Sequence, residues 1–267
     1  MIVVLLPAYN EERSLPLLLP KIGSNLASSG VEWRVIVCND GSHDGTASII
    51  AQYASTMPIE VIHHKINRGL GETARDLFER AAEICAPQDV IVRMDCDDTH
   101  EPHVMKSMIA KLDEGYDVVI ASRFMPGGGQ LGVDARRAWI SRLANIFMKL
   151  FFPIPNVREY SCGFRAYRAG TIQKAIKFWG NDFISLKGLG FTGTLEKLIK
   201  LNLLGARITE VPFVLRYDQK QGRSQMIFSV TTLGYLTMTV LNYWPWGGWR
   251  QVMKSSRESN AIFPPTD

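Results

Sequence analysis

Several features that would assign this chain to a common class of protein are missing or scarce. It has only four cysteines, with neither a Cys-x-x-Cys pair nor metal-finger spacing, so we expect a reduced, intracellular protein. The formal net charge is only +4, which does not suggest a nucleic-acid partner. There is no internal repeat and no low-complexity linker. What remains is an ordinary globular composition, with 46% hydrophobic residues in 267, and enough of them for a sizeable core.

The chain also lacks an unambiguous membrane span. The apolar start at residues 1–6 is too short for a signal peptide and has no basic lead-in, so it predicts a β-strand. Residues 226–249 carry no charge, and a bilayer core requires roughly 20 apolar residues in a helix. Hydroxyl and amide side chains make this segment polar, while its Tyr and Trp residues suit the headgroup level. An interfacial helix, a helix packed on the core, and a true span or membrane hairpin therefore remain open.

What the first half does contain is a regular alternation of strand and helix patterns. Continuous Val/Ile-rich runs predict strands that are covered on both faces. Helical patterns between them imply βαβ units, and so an α/β fold with a mostly parallel sheet flanked by helices. The predicted strands are 2–6, 33–38, 59–63, 89–94 and 117–121, and the predicted helices are 14–28, 44–54, 71–85 and 102–114.

The second half is less regular. It predicts a basic amphipathic helix over 136–152, a helix over 191–203 and a strand over 211–216. The first of these helices could lie on an anionic membrane, or it could be an ordinary surface helix with a solvated basic face.

Three polar loops are expected along one edge of the predicted sheet. Right-handed crossovers place residues 7–12, 39–44 and 95–101 there. The third loop contains Asp95 and Asp97, directly after an apolar run. Such carboxylates can meet in the crevice where open α/β sheets bind ligands, and Mg²⁺ or Mn²⁺ often bridges carboxylates to substrate phosphates. The pattern predicts a nucleoside-diphosphate site, although an acidic turn after a strand would look the same.

Three motifs, in order, carry a resemblance to a known family. They are Pro7-Ala8-Tyr9-Asn10-Glu11-Glu12, Asn39-Asp40-Gly41-Ser42-His43-Asp44-Gly45-Thr46 and Asp95-Cys96-Asp97. Together they resemble the family-2 glycosyltransferases with the GT-A fold. More narrowly, stretches at 121–124, 137–145, 162–165 and 216–224 resemble the dolichyl-phosphate mannose synthase branch and its bacterial polyprenyl-phosphate relatives. We therefore expect a catalytic domain over 1–225, followed over 226–267 by an apolar, membrane-associated helix and a polar tail.

The resemblance implies a site for a nucleotide-sugar donor. Asp40 would contact the base, although an Asp before Gly also favours a turn. Thr99 stands where the family often has Gln, and Gln225 where it commonly has Lys. The implied metal ligands for Mg²⁺ or Mn²⁺ are Asp95, Asp97 and Thr99. The implied donor-binding residues are Pro7, Tyr9, Glu11, Cys38, Asp40, Asp95, Cys96, Asp97, Arg216 and Lys220.

The resemblance also implies an acceptor site. Arg137 and Ser141 match the family's acceptor-phosphate cradle and share a helix face because they lie one turn apart. Arg123 matches an arginine that faces the diphosphate or the acceptor phosphate. The implied catalytic residues are Asp97 and Arg123. Glu159 stands where relatives usually have Asp. A phosphate monoester, with a second pKa of about 6, is already an anionic nucleophile near pH 7 and requires no general base.

The expected activity is an in-line displacement that inverts the anomeric carbon and transfers a hexose to dolichyl or undecaprenyl phosphate. Mannose from GDP-mannose is the commonest donor in the branch. The expected partners are the donor, the polyprenyl phosphate and a membrane surface, without nucleic acid, and the expected location is the cytoplasmic side of the membrane, peripheral or monotopic. Three alternatives stay open: a glycosyltransferase acting on a glycan or other hydroxyl, a nucleotidyltransferase, and a non-catalytic nucleotide-sugar-binding module.

Overall fold

The computed structural model describes residues 1–189, 192–222, 228–244 and 247–258. A seven-stranded sheet with order β3-β2-β1-β4-β7-β5-β8 forms its centre. Its strands are β1 (Ile2–Ala8), β2 (Trp33–Asp40), β3 (Ile59–His64), β4 (Val90–Arg93), β5 (Val118–Ser122), β7 (Arg165–Arg168) and β8 (Ile208–Pro212). The helices are α1 (Leu15–Ala27), α2 (Thr46–Ala54), α3 (Leu70–Ile84), α4 (Val104–Asp113), α5 (Ala135–Phe151), α6 (Ala169–Trp179), α7 (Gly193–Leu203), α8 (Phe228–Tyr243) and α9 (Gly248–Glu258).

The five strands predicted in the first half are confirmed, and their pairing explains the continuous apolar runs. β1 lies between β2 and β4, parallel to both. Alternate residues of β1 enter different cores, Val3 and Leu5 on one face and Val4 and Leu6 on the other. A strand that is buried on both faces has no solvent side, so it needs no polar alternation.

One strand of the central sheet runs in the opposite direction to its neighbours. β7 runs antiparallel to its two neighbours, β4 and β5, whereas the other pairings in this sheet are parallel. The sequence did not predict β7, and it did not predict α6, which follows it directly. β7 places the loop that precedes it, residues 158–164, beside the carboxyl ends of β4 and β5.

The single strand predicted at 211–216 is wrong, because two strands occupy this region. β8 ends at Pro212 in the central sheet, and β9 (Val214–Arg216) pairs with β6 (Gly129–Leu131) in a separate two-stranded sheet. Phe213 lies between them with 2% exposure. The buried Phe213 separates the end of β8 from the start of β9. Beyond it, the chain leaves the central sheet and crosses its carboxyl edge.

The C-terminal helices pack on the rest of the protein with one face and expose apolar residues on another. Met238 of α8 is fully buried, and Tyr235 and Trp249 pack against the same core. The Tyr243 hydroxyl donates to the carbonyl of Phe151, which ties the end of α8 to the end of α5. Within the described residues, no helix combines the length and apolarity that crossing a membrane requires. The exposed residues of α8 include Leu233, Leu236, Val240 and Tyr243.

Candidate active site

The first two polar loops lie together at the carboxyl edge of the sheet, as predicted, and hydrogen bonds join them. Asn10 takes a left-handed backbone conformation, with φ of 56°, which Asn tolerates better than most residues. Its main-chain N–H donates to Ser42 Oγ at 3.0 Å, and its side-chain oxygen accepts from the N–H of His43 at 2.9 Å. The N–H of Glu11 donates to Thr46 Oγ1 at 2.8 Å. Pro7 and Tyr9, both predicted to contact the donor, remain partly exposed beside this junction.

Asp40 organises the loop that follows β3. Its Oδ1 accepts from the N–H of Arg68 at 2.8 Å and lies 2.6 Å from His64 Nδ1, while its Oδ2 accepts from the N–H of Gly69 at 2.8 Å. Asp40 is nearly buried, at 3% exposure. Asp40 therefore holds the distant loop at Arg68 and Gly69, while Asn39 Oδ1 accepts from the Ser42 N–H in the turn itself; a contact of Asp40 with the base stays a prediction. The Cys38 side chain is fully buried, and burial raises the pKa of its thiol to about 12.

The acidic loop after β4 is held by residues that the sequence did not single out. Asp95 Oδ1 pairs with the Arg93 guanidinium at 2.7 Å. His100 Nδ1 accepts from the Asp95 N–H at 3.0 Å, and burial lowers the pKa of His100. The Arg93 guanidinium lies against Gly163, where a Cβ would come within 1.7 Å of Nη1, so a larger residue at position 163 would force the guanidinium to move. Cys96 between the two carboxylates is buried at 2% exposure.

Asp97 is contacted from both sides. Thr99 Oγ1 donates to its Oδ1 at 2.6 Å, and the Lys220 ammonium contacts its Oδ2. Burial alone would raise the pKa of Asp97, but Lys220 beside it holds that pKa below its usual value. Asp98, next in the chain, has φ of 59° and pairs with Lys21 at 2.8 Å. The Lys220 ammonium thus already contacts Asp97, a carboxylate that is predicted to bind the metal ion.

Glu11 shares this electrostatic environment. Burial, aided by the charges of Asp97 and Asp95, raises the pKa of Glu11 to about 7, although a hydrogen bond with Ser14 and the charge of Lys220 act to lower it. The structure therefore brings Glu11, Asp95, Asp97 and Lys220 within reach of one another, although they come from three distant parts of the sequence.

Residues 214–220 cross the acidic loop as a strap. The N–H of Arg216 donates to the carbonyl of Thr99 at 3.0 Å, and Lys21 donates to Gln219 Oε1 at 3.3 Å. The Arg216 side chain is turned to Asp218, with contacts of 3.0 and 2.9 Å. This strap is the basic loop that the resemblance implied. Its continuation through Arg223, Ser224 and Gln225 lies outside the described residues.

Arg123, directly after β5, is held rigidly. Its Nε and Nη2 donate to the two oxygens of Glu159 at 2.7 and 2.9 Å, and Nη2 also donates to Ser161 Oγ at 2.8 Å. The two N–H groups of Nη1 have no hydrogen-bond partner among the described residues. Glu159, which the sequence left without a role, is completely buried.

A cavity of about 230 Å³ separates Arg123 from the first turns of α5. Trp139 and Arg142 of α5 line it together with Arg123. Arg137 is placed differently, because its guanidinium lies 4.7 Å from the ring centre of Tyr217 in the strap and donates to the Tyr217 hydroxyl. Arg142, to which the resemblance assigned no role, lies in the matched stretch 137–145 one helical turn after Ala138, which lines the same cavity; its basic side chain in that stretch was the available signal.

The donor set of the acidic loop fits a hard divalent ion. Asp95, Asp97 and Thr99 supply oxygen atoms, which are the ligands that Mg²⁺ and Mn²⁺ prefer. Across the residues that the structure describes, no group of three or more His, Cys, Asp or Glu side chains is arranged to hold a metal alone. An ion here would need further ligands, and substrate phosphates are the usual source in sites with one or two carboxylates.

Comparison with known proteins agrees with this geometry. The sequence model of the family described as Glycosyl transferase family 2 matches residues 3–175. This chain belongs to glycosyl transferase family 2. The undecaprenyl-phosphate mannosyltransferase of Micrococcus luteus is 31% identical over 247 residues, which cover 92% of this chain and 93% of that protein. The polyprenol monophosphomannose synthase of Mycolicibacterium smegmatis is 26% identical over 226 residues, 84% of this chain and 80% of that protein.

The solved structures support the fold of this glycosyltransferase. Glucosyl-3-phosphoglycerate synthase from Mycobacterium tuberculosis, solved with Mn²⁺, UDP and phosphoglyceric acid, superposes with a TM-score of 0.58 at 18% identity. The match covers 90% of this chain and 78% of that one. At this identity the likeness shows the fold alone. The predicted GT-A architecture is confirmed, and the expectation of an enzyme rather than a binding module is confirmed with it.

Proposed function

We propose that this glycosyltransferase moves mannose from GDP-mannose to a polyprenyl phosphate, with inversion at the anomeric carbon and with Mg²⁺ or Mn²⁺. The names of the two relatives support the lipid phosphate and the mannose. Guanine is the expectation carried from the sequence resemblance. The sites proposed for donor and acceptor lie on opposite sides of the loop after β4.

On the donor side, Asp40, Tyr9 and Glu11 are proposed to hold the base and ribose at the junction of the first two loops. Asp95, Asp97 and Thr99 would hold the divalent ion, which when bound would neutralise charge on the leaving diphosphate. Lys220 would leave Asp97 and contact the same diphosphate, because its ammonium is already within reach of that position. The strap would thereby help to shield the donor from water.

One observation carries the choice of a lipid phosphate as acceptor. The cavity with Arg123 and Arg142 opens beside Trp139, the first member of an exposed apolar stripe on α5. That stripe continues through Leu143, Ile146 and Leu150, with exposures of 59%, 58% and 73%. Guanidinium groups match phosphate geometry, and an adjoining apolar stripe matches a hydrocarbon chain. An amphiphile with a phosphate head fits both parts.

The same stripe supports the proposed location on the membrane surface. α5 and α8 each expose one apolar face, and the contact from Tyr243 to Phe151 joins the ends of the two helices. Basic side chains on α5, Arg142 and Lys149, flank its stripe, as is typical of helices that lie on anionic lipid. We propose that this surface rests on the cytoplasmic leaflet as a peripheral or monotopic contact. The domain boundary at 225 remains a prediction.

In the proposed reaction the acceptor phosphate attacks the anomeric carbon from the face opposite the diphosphate. Its second pKa of about 6 leaves it ionised near pH 7. Arg123 would place two N–H groups on it and offset the repulsion between two phosphates, which is electrostatic stabilisation by groups fixed in advance.

The test is a donor panel crossed with an acceptor panel. GDP-mannose, UDP-glucose and UDP-N-acetylglucosamine are each incubated with a short polyprenyl phosphate, with the matching polyprenol, and with no lipid, in Mg²⁺, Mn²⁺ or EDTA. We expect nucleotide release and a lipid-linked sugar only with the phosphate and a metal, fastest with GDP-mannose, and an inverted anomer by NMR. Equal release with polyprenol would reassign the acceptor to a hydroxyl, and release that ignores lipid would remove the lipid acceptor altogether.

A further inference from the structure

Glu159 pairs with Arg123, which lines the proposed acceptor pocket, so the role of Glu159 bears on what kind of acceptor the enzyme can use. An exposed, weakly paired carboxylate in that place would serve as a general base for a hydroxyl acceptor. A carboxylate that is buried and fully paired would instead fix the group it pairs with. The contacts distinguish these two roles.

The hydrogen-bonding capacity of Glu159 is almost fully used. Its Oε1 accepts from Arg123 Nη2 at 2.9 Å, from the Ser161 hydroxyl and N–H at 2.8 and 3.0 Å, and from the Cys162 N–H at 3.0 Å. Its Oε2 accepts from Arg123 Nε at 2.7 Å. With no exposed surface, neither oxygen can receive a proton from an acceptor hydroxyl. Burial would raise the pKa of Glu159, but the charge of Arg123 outweighs it and lowers that pKa.

The main chain around Glu159 is fixed from three neighbouring elements. Glu210 of β8 accepts from the N–H groups of Arg158 and Glu159 at 2.7 and 2.6 Å. Asn145 of α5 accepts from the Tyr160 N–H at 2.9 Å. Arg165 of β7 donates to the Tyr160 carbonyl at 2.8 Å. A carboxylate on such a support holds its partner in one orientation.

We propose that Glu159 is a positioning residue that orients Arg123 toward the acceptor phosphate and does not act as a general base. It and Ser161 bind three of the five guanidinium N–H groups of Arg123. The remaining two, on Nη1, have no hydrogen-bond partner within the described part of the chain, and Arg123 lines the cavity that Arg142 also lines. This inference rests on the proposed function, because it takes a phosphate as the acceptor. It adds that the site is built without a free base, so the acceptor must arrive ionised.

The test is a double-mutant cycle with Glu159→Gln and Arg123→Lys, scored as kcat/KM for the polyprenyl phosphate. We expect each single variant to lose about 10- to 100-fold, in line with the loss of other residues that orient a binding group. The kcat/KM of the double variant should lie within about twofold of that of the less active single variant, because either substitution already removes the Glu159–Arg123 pairing. Multiplying losses would overturn the proposal.

The pH profile provides the readout that a merely structural role would not change. A general base gives the profile of kcat/KM an acidic limb that Glu159→Gln would remove. For a positioning residue, the limbs of the wild-type profile persist in Glu159→Gln at reduced height. Disappearance of the acidic limb would overturn the proposal. Glu159→Asp retains the charge and should recover part of the lost rate.

Glu196→Gln is the matched control, since Glu196 of α7 is another fully buried carboxylate paired with a cation, Lys200 at 2.5 Å, and it has no contact with Arg123 or with residues 158–162 among the described residues. We expect it to retain kcat/KM within about threefold, as for a change outside the coupled pair. Similar losses in Glu196→Gln and Glu159→Gln would show that loss of any buried, paired carboxylate accounts for the effect, and would overturn the proposal. If wild-type enzyme transfers sugar only to polyprenol, the proposed function fails, and the same cycle on that acceptor still tests the role of Glu159.

Discussion

Lys220 is expected to compete with the divalent ion for Asp97, and Lys220→Gln should therefore bind metal more tightly in the absence of donor. The two side chains are in contact and retain only 14% and 15% exposure. Unit charges about 4 Å apart attract by about 4 kcal/mol at an effective dielectric constant of 20. Hydration of the released ammonium recovers most of this, so we take a net competition of about 1.4 kcal/mol, or a factor of about 10 in Kd.

Mn²⁺ titration followed by electron paramagnetic resonance of the free ion measures this directly. Lys21→Gln is the matched control, because Lys21 carries the same charge close by but pairs with Asp98 at 2.8 Å. We expect the Mn²⁺ Kd to fall about 10-fold in Lys220→Gln and much less in Lys21→Gln. Binding of GDP should weaken in Lys220→Gln, because the lysine is then missing from the diphosphate. An unchanged Mn²⁺ Kd, or an equal change in both variants, would refute direct competition.

Three further outcomes are expected. Asp97→Asn should abolish transfer and keep the far-ultraviolet circular dichroism spectrum, because it removes one charged oxygen ligand; residual activity above about 1% of wild type would contradict its role in a reaction that depends on such electrostatic stabilisation. The pKa of Glu11 is raised from 4.5 to about 7, so its contribution to stability is fully present below pH 4.5 and is lost as the pH rises through 7. In urea denaturation with EDTA, the free energy of unfolding of Glu11→Gln should equal that of wild type at pH 4.5 and exceed it by about 2–3 kcal/mol at pH 8. If the free energies of unfolding of the two proteins changed equally with pH, the burial of Glu11 would be contradicted. Ile146→Glu should weaken binding to anionic vesicles at least about 10-fold, since burying an Ile contributes about 1.5–3 kcal/mol, while Leu17→Glu, at an exposed apolar residue of α1, should have no effect, and equal losses would argue against a specific docking face.

The parts of the fold that sequence could predict are those set by local rules. The strands at 2–6 and 33–38 were recognised because a run of Val, Ile and Leu has few alternatives to a strand covered on both faces. β7 escaped recognition because Arg165 lies inside it at 1% exposure. Burial of an arginine is possible here only because the carbonyls of Tyr160 and Thr194 accept its hydrogen bonds, and those carbonyls are supplied by the fold.

The candidate site shows the same division. Asp95 and Asp97 were recognisable because their spacing and their place after a strand are local facts. Lys220 reaches Asp97 across 123 residues, and Glu159 reaches Arg123 across 36. Motif resemblance assigned Lys220 and Arg123 to phosphates, but it did not pair Lys220 with Asp97 or Arg123 with Glu159. Ser141 and the metal ligands keep the roles predicted for them as predictions.

A mostly parallel sheet with polar loops at one edge is predictable from sequence, because continuous apolar runs and the handedness of crossovers are properties of short stretches of chain. Which cation faces which carboxylate depends on the folded arrangement of the whole chain. Such pairings join residues that are far apart in the chain, and their strength depends on how much water the surrounding packing excludes.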